Sequence, residues 1–115
     1  MWDTHELAWA AGFFDGEGCC SVFRVKDREK PYSYTSLQIS QSDIRPLERF
    51  KAAIGSCGHL YGPHDRHRPN TRPEYTWRCN RYEHVQAVIA LLWKYLSPVK
   101  RNQIKATIAI VVGEV

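Results

Sequence analysis

Two carboxylates one residue apart, Asp15 and Glu17, sit among Gly12, Gly16 and Gly18 in the stretch Trp9-Ala10-Ala11-Gly12-Phe13-Phe14-Asp15-Gly16-Glu17-Gly18-Cys19-Cys20. An acid flanked by glycines at the end of an apolar run is exposed, and the peptide carbonyl beside it is open to a ligand. Mg²⁺ suits such a place, because it takes hard oxygen donors, few of them from protein, and completes its shell with water and phosphate oxygens. A helix stop followed by a turn would use the same residues without any chemistry. No further acids follow at the spacing of a calcium loop. The residues themselves leave a phosphodiester-directed metal site and an ordinary turn both open.

The other metal-ligating residues are less suggestive. Cys19, Cys20, Cys57 and Cys79 form no C-x-x-C pair, and Cys57, His59, His64, His67 and Cys79 match no finger or ribbon spacing. Buried thiols are the simpler reading.

Charge points toward a polyanion. Sixteen Lys and Arg against twelve Asp and Glu leave a net charge of +4. The cations cluster: Arg24, Lys26, Arg28 and Lys30; then Arg66, Arg68 and Arg72; then Lys100, Arg101 and Lys105. One such cluster is an ordinary solvated face. Three of them, beside Tyr, Gln, Asn and Ser, favour phosphate contact.

The elements that must position these residues follow from capping and periodicity. With 115 residues the expectation is a single domain over 1–115 with one core. Asp3 and Glu6 read as a capping box starting a helix over about 3–15, ended by Gly16 and Gly18. Residues 19–26 and 34–40 read as strands of a first hairpin, within about 19–41. A second helix over 47–54 carries Leu47, Phe50 and Ile54 on one face and stops at Gly55. A second hairpin, within about 57–80, joins strands 58–62 and 74–80 through a basic loop. Helix 82–96 has Val85, Val88, Ile89, Leu92 and Leu96 as its stripe. Ser97-Pro98 opens a last helix in which Ile104, Ile108 and Val111 pack.

The order αββαββα(α) predicts an α+β fold, a four-stranded antiparallel sheet with helices packed on one face. The other face would carry Tyr34, Ser36, Gln38 and Ser40, with His59 and Tyr61, and Thr76 and Arg78. Such groups read base edges in a major groove, although antiparallel sheets often have one solvated face anyway. Strict alternation in the first strand puts Ser21, Phe23 and Val25 on that polar side and Arg24 and Lys26 on the core side. That is chemically backward, so a bulge near Cys20 is expected.

Residues 10–18 resemble the LAGLIDADG motif of homing endonucleases, with Ala for the first Leu, aromatics for the next aliphatics and Glu for the second Asp. The resemblance covers nearly the whole chain, since that family's fold has the same element order, with its curved sheet lying in the major groove. It implies that Glu17, with the Gly16 carbonyl, binds metal, and that Asp15 caps and orders the motif helices. Gly12 resembles the glycine where two motif helices meet, placing Ala8, Ala11, Gly12 and Asp15 at a dimer interface. Gln41 resembles the polar residue that holds catalytic water, and Lys100 the basic residue near the scissile phosphate; Arg45 is a candidate for a further one. The read bases would be reached by the sheet residues above, with Arg24, Lys26, Arg28, Arg66, Arg68 and Arg72 adding charge.

One motif per chain implies a homodimer on a palindromic or pseudo-palindromic double-stranded DNA target, cut by Mg²⁺-dependent hydrolysis to leave short 3′ overhangs. Mn²⁺ or Ca²⁺ would substitute in the site, Ca²⁺ without cleavage. Intron or intein mobility goes with that activity, and no small-molecule cofactor does. Some relatives are instead RNA maturases or transcription regulators that no longer cut, and others are two-motif chains. No apolar run is long enough to span a membrane, and no targeting signal is seen, so the expected location is intracellular: cytoplasmic, or organellar if the gene is organelle-encoded.

Overall fold

A computed structural model describes residues 2–27, 29–65, 67 and 69–113. The order is α1 (Thr4–Glu17), β1 (Gly18–Val25), β2 (Tyr32–Gln41), α2 (Ile44–Ala53), β3 (His59–His64), β4 (Glu74–Cys79), α3 (Tyr82–Leu92), a 3₁₀ turn (Trp93–Tyr95) and α4 (Pro98–Val112). The strands form one antiparallel sheet in the order β1-β2-β4-β3. This is the α+β arrangement expected from the sequence.

Helix α1 starts where the capping residues put it: the Asp3 carboxylate accepts from the backbone N–H of His5 at 3.0 Å and of Glu6 at 3.2 Å. The return arm of the capping box is missing, because Glu6 instead accepts two bonds from Arg49 of α2, at 2.7 and 3.0 Å. The helix also runs past its expected end near residue 15 and includes Gly16 and Glu17. Only at Gly18 does the backbone become extended and enter β1. A side chain on Gly18 would run into the Phe14 ring, so the tight helix-to-strand junction requires glycine there.

Leu7, Ala10, Ala11 and Phe14 recur at helical spacing and form the inward face of α1. They meet Leu37 and Ile39 of β2, Trp77 and Cys79 of β4, Leu47 and Phe50 of α2, and Val85, Val88 and Leu92 of α3 in one buried cluster. Trp77 anchors it, its ring edge-on to Phe50 at 4.8 Å and its indole N–H donating to the Cys57 carbonyl at 2.9 Å. Truncating a buried tryptophan of this kind costs about 3–5 kcal/mol.

Helix α3 tightens into the 3₁₀ turn after Leu92 and does not continue to Leu96, although Leu96 is buried as its stripe predicted. Ser97 then caps α4, its Oγ accepting from the Lys100 N–H at 3.2 Å, with Pro98 at the first helical position.

The bulge expected near Cys20 is absent. β1 pairs with β2 without a break from Gly18↔Ile39 to Val25↔Tyr32. The irregularity lies in β3, where Tyr61 opposes Thr76 but His64 opposes Glu74. Plain alternation in β1 is tolerated because β4 pairs with β2 only over Leu37 to Gln41. The outer half of the β1–β2 hairpin therefore projects beyond β4. There Arg24 lies on the helix side of the sheet, not on the open face, yet stays exposed and donates to Ser33 Oγ at 3.4 Å. No helix among the described residues is long and apolar enough to cross a membrane.

Candidate metal and nucleic-acid site

Three elements end at one spot. Glu17 is the last residue of α1, Gln41 the last of β2, and Lys100 lies in the first turn of α4. The Gln41 amide donates to Glu17 Oε2 at 3.2 Å. Lys100 Nζ donates to the carbonyl of Gly18, the residue next to Glu17, at 2.9 Å, and sits 5.5 Å from the Phe14 ring centroid. Only 8 % of Lys100 is exposed, whereas a lysine merely solvating a helix start would project into water.

Asp15 has a different partner, Ser97 at the cap of α4. Its carboxylate accepts from the Ser97 N–H at 3.1 and 3.2 Å and from Ser97 Oγ at 3.0 Å. The acid thus ties the end of α1 to the cap of the helix that carries Lys100. Two acids one residue apart have separate partners.

The donors left open are hard ones. Glu17 and Gly16 are exposed, and a Cβ added at Gly16 would meet nothing within 4 Å. Among the described residues no three His, Cys, Asp or Glu side chains converge. A carboxylate, a carbonyl and an adjacent amide fit Mg²⁺, which draws its remaining ligands from water and phosphate.

Arg45, the candidate for a further basic residue, has its guanidinium taken by Asp43 at 2.6 Å. That pairing holds the Asp43 carboxyl down at about 2. Arg72 lines a surface pocket with Asn70, Thr71 and Ser42, the residue after Gln41. Lys26 is exposed just past β1. Arg28, Arg66 and Arg68 lie outside the described residues.

Pairing places Tyr34, Gln38, Ser40, His59, Tyr61 and Arg78 on the open face. Arg78 donates to the Gln38 carbonyl oxygen at 3.2 Å and stands 5.9 Å from the Tyr61 ring centroid. Ser36 and Thr76 share the face but not the exposure. Ser36 is fully covered and lies 3.4 Å from the Gln38 amide that donates to it, while Thr76 exchanges a 3.0 Å hydroxyl bond with Ser40. Both are corrected from base-contacting candidates to supports for Gln38 and Ser40. Cys19, Ser21, Phe23 and Val25 join the open face, as unbroken alternation of β1 requires.

On α1 the exposed side carries Thr4, Ala8, Gly12 and Gly16 at four-residue spacing. A Cβ at Gly12 would meet nothing within 4 Å. Ala11 is not on this side: it is fully buried in the chain's own core, which removes it from the expected interface. Ala8 and Ala11 are the same residue type, and only the direction of the core separates them. A groove of about 690 Å³ lies at the far end of the β1–β2 hairpin from Glu17, lined by Val25, Tyr32, Tyr34, Tyr82 and Val112 among others.

The family model for LAGLIDADG endonuclease matches residues 10–111. Among solved structures, the homing endonuclease I-TnaI is 25% identical with a TM-score of 0.75, over 92% of this chain and 71% of that one. I-CvuI in complex with the I-CreI target, in the presence of Mg and with the DNA not cleaved, is 25% identical with a TM-score of 0.74, over 95% and 69%. I-CvuI has also been solved with its target in the presence of Ca. I-GzeII in complex with its DNA target shares the fold at 20% identity and a TM-score of 0.64, over 77% of this chain. The chain spans 28% of the length of I-GzeII and 56% of that of I-Vdi141I. No curated protein matches the sequence.

Proposed function

The chain belongs to the LAGLIDADG endonuclease family, and from that premise we propose that it is a homing endonuclease that cuts both strands of a palindromic or pseudo-palindromic DNA target as a homodimer. The observation that carries this reading is the convergence on Glu17 and Gly18 of two residues from other elements: Gln41, which bonds the Glu17 carboxylate, and Lys100, which bonds the Gly18 carbonyl. A structural turn needs none of them.

Glu17 and the Gly16 carbonyl are the residues that would hold Mg²⁺. When bound, the metal supplies a water of lowered pKa and a positive charge beside the leaving oxygen. Gln41 spends one N–H on Glu17; its second N–H and its carbonyl oxygen remain to orient the attacking water. Lys100 spends one N–H on the Gly18 carbonyl. Its charge, held at the residue next to Glu17, would offset the negative charge that develops on the phosphate. The Asp15–Ser97 contact holds α4 in the position that makes this possible.

Across the open face, Gln38 and Arg78 are the side chains best suited to base edges, with Ser40, His59, Tyr61 and Tyr34 around them. One Glu17 per chain serves one strand, so two strands need two chains. The small, exposed side of α1 at Ala8, Gly12 and Gly16 allows two helices to approach closely about a twofold axis, and a twofold protein reads a twofold target.

Selection by cleavage from a randomised palindromic duplex library in Mg²⁺ tests this directly. The wild-type chain should return a cut, symmetric consensus, and Glu17→Gln should return none. Binding without cutting by the wild type would move the chain to the non-cleaving, DNA-binding relatives.

A further inference from the structure

The open sheet face is polar near Glu17 and becomes apolar at its far end. Phe23 and Tyr34 are directly opposed across β1 and β2 and stack with centroids 5.7 Å apart; Val25 opposes Tyr32 in the next pair on the same face. Cross-strand aromatic pairs stabilise hairpins, but that role does not call for leaving the rings in water. Phe23 is 42 % and Tyr32 43 % exposed. Exposed Lys26 and Lys30 lie just beyond, at the hairpin tip. A solvated face calls for polar side chains here, and so does contact with phosphates. An apolar surface rimmed by cations, continuous with Gln38 and Arg78, has another match. The thymine C5-methyl is the apolar group on a major-groove base edge.

We propose that Phe23, supported by Val25 and Tyr34, reads thymine by packing on its 5-methyl group in the outer part of each half-site. This deepens the DNA-cleaving reading above and rests on it. Phe23 lies five residues beyond Gly18 along β1. At about 3.3 Å per strand residue and about 3.4 Å per base pair, that is about five base pairs outward from the phosphate facing Glu17. Val25 extends the apolar strip in the same direction.

The test is binding selection of the full chain on randomised palindromic duplexes, followed by deoxyuridine in place of thymine at the enriched outer positions. Deoxyuridine keeps every hydrogen bond and loses only the methyl. Thymine should be enriched there, and each substitution should weaken binding about fourfold, the effect of withdrawing one buried methyl. Phe23→Ser should bind thymine and deoxyuridine duplexes equally, while Phe23→Leu should retain the difference. Equal binding of the two duplexes by the wild type would overturn the inference and leave DNA recognition intact. If Phe23→Ser fails to fold, the wild-type comparison alone decides. No selected duplex at all would overturn DNA recognition, and the thymine patch with it.

Discussion

Lys100 and Gly18, 82 residues apart in the chain, are joined by a 2.9 Å bond from the lysine Nζ to the glycine carbonyl. The bond and the Phe14 ring below it compensate a cation that is nearly removed from water. The position of the charge is thereby set by the junction between α1 and β1, one residue from Glu17.

Lys100→Met keeps the apolar stem and removes the charge. Cleavage should fall by about 100- to 1,000-fold, the usual effect of losing one preorganised charge-stabilising donor. Stability should drop by only about 1 kcal/mol, since one carbonyl loses its partner. Single-turnover cutting and urea unfolding separate the two, and unchanged cutting rules the lysine out of the phosphate site.

Glu17→Gln is nearly isosteric and leaves the sheet face untouched. Mg²⁺-dependent cleavage should fall by more than about 100-fold, with retention in a gel shift unchanged. A variant that still cuts at the parental rate is incompatible with Glu17 as the metal ligand.

Asp15 and Ser97 form one unit, three bonds between two side chains and a backbone N–H. Asp15→Ala should destabilise by about 2 kcal/mol and Ser97→Ala by about 1 kcal/mol. The double variant should lose less than their sum, because the second change finds the contact already broken. Strictly additive losses in chemical denaturation contradict a shared contact.

Gly12→Leu meets open space within the chain. Replacing a mid-helix glycine should hold the isolated chain's stability or raise it by up to about 1 kcal/mol. The same side chain would wedge two α1 helices apart. Sedimentation should therefore show a monomer, with a melting temperature undiminished when both proteins are compared at a dilution where the parent is also monomeric, and a dimer at the parental affinity excludes this face as the interface.

Burial pushes the Cys79 thiol up to about 11, with Cys57 beside it adding to the effect, and burial raises Cys20 as well. A thiol with a raised folded pKa favours folding fully below its unfolded value near 9. That contribution is lost as pH rises toward about 11. At pH 8 only about one Cys79 in a thousand is thiolate, so brief alkylation read by mass spectrometry should label exposed Cys19 first and Cys79 last. Early Cys79 labelling would mean that β4 opens readily.

Element order was legible because each amphipathic segment repeats its own pattern. Leu47, Phe50 and Ile54 mark the inner side of α2, and alternation marks the open side of β2 and β4. In β1 the expected bulge is wrong and plain alternation holds, because the outer part of the open face is apolar and accommodates Phe23 and Val25. The Glu17–Gly16 pair was readable as a candidate because its parts are adjacent in the chain.

Local spacing is enough to reach the fold class, the polar side of the sheet and the acid at the end of α1. Partners come from packing across the fold: Ser97 for Asp15, the Gly18 carbonyl for Lys100, and the core for Ala11, with Ala8 left outside. Local periodicity says which way a side chain points from its own element. Only packing brings residues 82 positions apart into contact, and contact determines whether a charge is solvated, buried or held against a neighbour.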